Sequence, residues 1–128
     1  MYALFDLSKQ DLVHVTLFDS KSVIDAREQG KNKDLLFVLD CMLRKNGLNT
    51  SDIQGIMVFL GSGSFTSTRI SALVANAFSY VKKIPVMGIG EGQAQMLQDL
   101  IEELRLKSAG VYVSASYSGE PNVGLSPS

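Results

Sequence analysis

Gly55 to Gly61, "GIMVFLG", is an apolar run without alternation, bounded by glycines, and it constrains the fold more than any other segment. A run of that kind suits a strand covered on both faces, and covering both faces of a sheet takes helices. From Thr66 to Lys82, Ile70, Leu73, Val74, Ala77, Phe78 and Val81 recur three and four apart. That spacing predicts a helix with those residues on its core side. "IPVMGI", Ile84 to Ile89, predicts a second buried strand. A strand, helix, strand unit places the chain in the α/β class.

The flanks extend this unit. "YALFD" (Tyr2 to Asp6), "LVHVTLFD" (Leu12 to Asp19) and "SVIDARE" (Ser22 to Glu28) alternate in the manner of half-buried strands and are separated by polar turns, which predicts an antiparallel meander. After a polar break, Leu35, Leu36, Leu39, Met42 and Leu43 predict a helix that stops at Asn46-Gly47. Ala94, Leu97, Leu100, Ile101 and Leu104 mark the inner side of a third helix, and "GVYVSASY" (Gly110 to Tyr117) reads as a last strand. The predicted order is βββαβαβαβ: one α/β lobe over residues 1–117, a mixed sheet with an antiparallel side and helices packed on it, then a loose tail over 118–128.

Composition narrows the chemistry. A chain of 128 residues with 45% hydrophobic and 20% charged residues is sized for one globular domain. A net charge of −1 supplies no footprint for gripping a nucleic acid directly. One cysteine, Cys41, and one histidine, His14, cannot form a disulfide framework or a His/Cys zinc site, so no structural metal is expected. No apolar segment has the roughly 18 residues a membrane span needs, and Met1 to Gln10 lacks the layout of a signal peptide, so a cytoplasmic location is expected. His14, on a predicted strand among apolar neighbours, reads as structural rather than as a general base.

"LGSGSFTSTRISA", Leu60 to Ala72, invites comparison with phosphate-binding turns. A Walker loop ends in Gly-Lys-Ser/Thr, and no lysine lies between Gly61 and Arg69. The dinucleotide fingerprint fails as well, because Thr66 stands where its third glycine belongs. Taken alone, the residues describe a tight strand-to-helix turn capped by Ser64 or Thr66.

Gly61, Gly63, Ser64, Phe65, Thr66, Arg69 and Ile70 nevertheless resemble the signature G-P-G-S-F-T-G-x-R-I-G of the TsaB (YeaZ) family, partner proteins in bacterial tRNA threonylcarbamoyladenosine synthesis. Asp52 to Val58 resembles that family's "DI-x-G-I-x-V" strand, Ile84 to Ile89 its "IP-x-x-G-[VI]" strand, and "ALFDLS" its opening "ALDTS". Ser62, Ser67 and Ser71 replace a proline and two glycines of the signature, and Gly90-Glu91-Gly92 replaces a usual Ser-Ser-Leu. The resemblance implies a single actin-like (ribonuclease H-like) lobe, where family members generally carry two. It also identifies Asp6 with the carboxylate that ATP-using relatives hold near metal-bound phosphates. In a lone lobe Asp6 would be vestigial, and the alternative is a solvated strand-end aspartate.

What the resemblance implies for function is a non-catalytic scaffold with no cofactor, docking through its first two helices onto the catalytic subunit TsaD. That assembly also uses the ATPase TsaE, and tRNA is met only indirectly. On the second helix Ser67, Ser71, Ala75 and Ser79 form a ladder of small residues at i, i+4 spacing, expected to face a partner, with Arg69 as a polar anchor. On the first, Phe37 and Cys41 lie opposite the leucine stripe. The rival reading is a reduced nucleotide-binding enzyme of the same fold completed by dimerisation. Self-association through the same helices is the expectation for the isolated chain.

Overall fold

Strands β1 (Tyr2–Asp6), β2 (Leu12–Phe18), β3 (Val23–Gln29), β4 (Gly55–Phe59) and β5 (Val86–Ile89) form one sheet of order β3-β2-β1-β4-β5. The helices are α1 (Leu35–Lys45), α2 (Phe65–Lys82) and α3 (Ile101–Arg105). The computed structural model describes residues 1–9, 11–30, 34–61 and 65–107, without the side chains of 65–67. The expected strand at Gly110 to Tyr117 and the tail over 118–128 lie outside these residues.

The predicted meander is present: β1 pairs with β2 and β2 with β3, both antiparallel. β4 runs parallel to β1 on one side and to β5 on the other. All five residues of β4 are buried, as an unbroken apolar run between two covered faces requires. Alternation splits the side chains into two cores. Ala3, Phe5, Val13, Val15, Leu17, Ile56 and Val58 meet α1 and α2 on one face. Tyr2, Leu4, Phe18, Met57, Phe59 and Ile89 meet the segment from Leu97 to Leu104 on the other.

The structure rotates α2 from the expected orientation, so that half of its expected core stripe faces out. Ser71, Ala75 and Ser79 are fully buried, with Thr68 and Ala72 beside them, whereas Leu73 and Val81 are 69% and 71% exposed. From Ser71 to Ser79 the small-residue ladder is therefore the inner face of the helix and cannot be an external docking face. The physical reason is space: the bulk in this interface comes from Ile56 and Val58 of the strand, and hydroxyls and methyls on the helix fit against it. Ile70, Val74 and Phe78 reach down its flank as half-buried contacts. On α1 the expected inner stripe holds for Leu35, Leu39, Met42 and Leu43, but Leu36 is exposed and Val38 takes its place.

The third helix is shorter than its apolar period suggests. Two 3₁₀ turns, Gln93–Gln95 and Leu97–Leu100, precede α3 because Met96 leaves helical geometry at φ −126°, ψ 35°. Its inward residues are nonetheless those expected, Leu97, Leu100, Ile101 and Leu104. Leu104, wholly buried, sits directly on Gly55, where an added Cβ would lie 2.8 Å from its Cδ2 and 3.2 Å from the Tyr2 ring. Glycine opens β4 because α3 occupies the place of a side chain.

Two substitutions test this packing. The Ser71 hydroxyl is buried with no hydrogen-bond partner among the described residues. Ser71→Ala is expected to raise unfolding free energy by about 1 kcal/mol, the penalty of an orphaned polar group. Gly55→Ala is expected to lower it by about 1–3 kcal/mol through overpacking. Urea titration measures both.

Candidate functional site

In open α/β sheets, ligand and partner chemistry gathers outside the carboxyl ends of the parallel strands. Here that edge carries Asp6 at the end of β1, Leu60-Gly61 after β4 and Gly90-Glu91-Gly92 after β5. The Leu60 N–H donates to the Ile89 carbonyl at 2.8 Å, which carries the β4–β5 pairing one step past the strands. A Cβ on Gly61 would lie 2.6 Å from the Phe59 ring and 3.1 Å from Cγ of Glu91. The first glycine of the signature is thus demanded by an aromatic ring and a neighbouring turn pressing on the backbone. Gly63, Ser64 and the side chains of Phe65, Thr66 and Ser67 lie outside the described residues.

Beside this edge the meander assembles a polar cluster. Strand register sets His14 opposite Asp6 on β1 and Arg27 on β3, and Thr16 opposite Asp25. His14 Nδ1 lies 3.6 Å from an Asp6 carboxylate oxygen and Nε2 lies 3.1 Å from Asp25. The Thr16 hydroxyl donates to the same Asp25 oxygen at 2.6 Å, and the Ser8 N–H donates to Asp6 at 2.9 Å. Arg27 approaches both Asp25, at 3.7 Å, and His14 Nε2, at 3.4 Å. The expectation of apolar neighbours around His14 is corrected: across both strands its neighbours are charged.

These contacts set the protonation states. The Asp6 bond holds the imidazole and raises the His14 pKa above its ordinary 6.5, against burial and with help from Asp25. Burial pushes the Asp6 and Asp25 carboxyls up, but hydrogen bonds outweigh it and both lie below the ordinary 3.8. For Asp6 the donors are His14 and Ser8, and for Asp25 they are Thr16 and His14. With carboxylates at both ring nitrogens, the cluster favours the imidazolium. Among the described residues no group of three or more His, Cys, Asp or Glu side chains could hold a metal ion.

The other predicted site residues do not form one surface. Phe37 and Cys41 line a groove of about 600 Å³ between α1 and the outer strand β3, on the side of α1 that faces β3. Arg69 is exposed on α2. Ser71, Ala75 and Ser79 are in the core, and the Ser79 hydroxyl donates to the Ile84 carbonyl to close the helix end. What the periodicity missed is the outward row of Leu73, Ala77 and Val81 at i, i+4, i+8, with Tyr80 alongside. The same spacing that suggested a core face generates this outer one.

An antiparallel meander leading into parallel strands, with helices on the sheet, makes this a ribonuclease H-like lobe of the actin-like fold. The family model described as TsaD, tRNA N6-adenosine threonylcarbamoyltransferase, matches residues 28–118, and the chain belongs to that family. No curated protein matches it in sequence. Among solved structures, YeaZ from Pseudomonas aeruginosa matches with a TM-score of 0.62 and 22% identity, over 70% of this chain and 44% of that one. A crystal structure of an uncharacterized protein with similarity to peptidase YeaZ, from Pseudomonas aeruginosa, matches with a TM-score of 0.64 and 22% identity, over 80% and 49%. The expected actin-like fold is therefore borne out, and the chain spans less than half the length of these two structures.

The cluster predicts a pH dependence with a defined sign. A raised His14 pKa contributes stability that is complete below about 6.5 and is lost as pH rises through the folded value. The lowered carboxylates contribute above about 3.8 and lose their share as pH falls through their folded values. Stability from the cluster is greatest between those limits. His14 is the chain's one histidine, so His14→Gln is expected to flatten the decline in melting temperature from pH 6 to pH 8, read by circular dichroism.

Proposed function

We propose that this chain is a non-catalytic scaffold or activator subunit in tRNA threonylcarbamoyladenosine modification. It docks through the outward faces of α1 and α2 onto a TsaD-like catalytic subunit, in a cytoplasmic assembly that includes a TsaE-like ATPase. The tRNA is met by the catalytic subunit and not by this chain. The observation that carries the reading is the outward row of Leu73, Ala77 and Val81 on α2 with Tyr80 alongside, all exposed, and Leu36 is exposed on α1 as well. Large apolar side chains in a row on one helix face are the mark of a surface meant to be covered. Family membership and the YeaZ-like fold support the setting.

The polar groups support the absence of catalysis. Asp6, the one residue identified with a nucleotide site, is engaged by His14 and by the Ser8 N–H. The buried hydroxyls of Ser71 and Ser79 face the protein interior. The two buried hydroxyls cannot meet a substrate where they sit.

Gel filtration with a TsaD-type transferase tests the docking. Co-elution is expected for the parent chain and for Ser71→Ala, and its loss for the double variant Leu73→Asp, Val81→Asp with an unchanged circular dichroism spectrum. A complex indifferent to that double variant overturns the surface. Calorimetry with ATP and magnesium addresses the enzymatic rival, since micromolar binding abolished by Asp6→Asn contradicts the scaffold reading.

A further inference from the structure

The groove between β3 and α1 has two walls of different kind. Six consecutive residues of β3, Ile24 to Gln29, line one of them. Side chains of consecutive strand residues point to opposite faces, so six in a row share one groove through their backbone edge. The other wall is a single stripe of α1, where Phe37, Val38, Cys41, Met42 and Lys45 recur three and four apart. The strand edge measures about 20 Å and the stripe from Asp34 to Lys45 about 17 Å, so the walls match in length.

Among the described residues β3 has no strand on its outer side. In the β2–β3 ladder the Asp19 N–H donates to the Ser22 carbonyl and the Gly30 N–H to the Asp11 carbonyl, at the two ends of the register Phe18↔Val23 to Leu12↔Gln29. Bonded and non-bonded pairs alternate between those ends, so Ile24, Ala26 and Glu28 direct their backbone groups to β2. Val23, Asp25, Arg27 and Gln29 direct theirs into the groove. The backbone of an extended chain matches such a row in spacing. A helix does not, because its own backbone groups are already paired.

The groove also dictates the side chains of its occupant. In an antiparallel pairing, residues opposite Glu28, Ala26 and Ile24 turn toward α1, and residues opposite Arg27 and Asp25 turn to the other face. On the α1 side the surroundings are Ile24, Ala26, Val38, Cys41 and the exposed Phe37 ring, which call for apolar residues opposite Ala26 and Ile24. One end is acidic: Glu28 is joined by Asp34, whose Oδ2 lies 2.9 Å from where a Cβ on Gly30 would stand. A basic residue opposite Glu28 meets both. On the other face Arg27 and Asp25, 62% and 47% exposed, call for a carboxylate and an ammonium across the ladder.

We propose that this groove takes up an extended segment of another protein as an added antiparallel strand alongside β3. Read from the residue opposite Glu28 to the one opposite Ile24, the segment has the pattern basic, acidic, apolar, basic, apolar. Main-chain bonds to the strand edge supply attachment, and the α1 wall with the flanking charges supplies selection. The site uses neither Leu73 nor Val81, so it and the α2 face proposed to meet a catalytic subunit can fail independently.

The probe is the fluorescently labelled, end-capped peptide Thr-Lys-Glu-Val-Lys-Val-Thr, titrated with the full chain and read by anisotropy. Saturable binding is expected. Methylating the amide nitrogens of its glutamate and second lysine, opposite Arg27 and Asp25, removes bonds donated to β3 and is expected to weaken binding by about tenfold or more. Methylating those of the two valines, whose N–H groups point away from β3, is expected to change it by less than about twofold. Phe37→Asp, at an exposed position, is expected to weaken binding by about tenfold. Arg27→Asp is expected to weaken it as well, with recovery when the peptide's glutamate is exchanged for lysine. The double variant Leu73→Asp, Val81→Asp is expected to bind as the parent does. Absence of saturable binding overturns the proposal. So does binding that ignores which amides are methylated, ignores Phe37→Asp, is not recovered by the charge exchange, or is lost in the double variant.

Discussion

The close seating of α2 on β4 is the contact on which the rest of the lobe depends. Serine and alanine side chains let the helix approach, and the bulk on that side of the interface comes from Ile56 and Val58 of the strand. The helix must then send its large apolar residues elsewhere. Some reach down its flank as Ile70, Val74 and Phe78, and the remainder stand in water as Leu73 and Val81. The candidate docking surface is thus a consequence of how the core was filled. A helix with leucines inward would sit higher, and its exterior would be the small polar ladder.

Glycine plays a matching part at the two ends of β4. Gly55 leaves room for Leu104 and Gly61 for the Phe59 ring and Glu91, so α3 and the turn after β5 both close on backbone instead of on side chains. In neither case does a positive φ explain the residue, since among the described residues the left-handed glycines are Gly47 and Gly92. The glycine that opens the signature is accounted for by packing of its neighbours, without any phosphate. This accords with Asp6 being turned to the meander histidine.

Much of the fold was legible in the residues. The meander, the central buried strand, the order of helices and strands, and the inner residues of the third helical segment all follow from period and punctuation. The cluster of Asp6, His14, Thr16, Asp25 and Arg27 was not, because its members lie on three separate strands and only register brings them together. The two hairpin registers set His14 opposite Asp6 and Arg27. The error on α2 has a different origin. Hydrophobicity ranks leucine and valine as inward, but a helix lying over a sheet is also limited by the volume available, and volume belongs to both partners.

Sequence alone determined the class of fold, the succession of elements and the kinship of the signature turn, because these rest on local periodicity and on residue types at fixed spacing. Tertiary structure decided which face of α2 is buried, which charges meet across the meander and which edge of the sheet is left open. Those outcomes depend on distances between segments far apart in the chain, and such distances are set only when helices and strands compete for the same space.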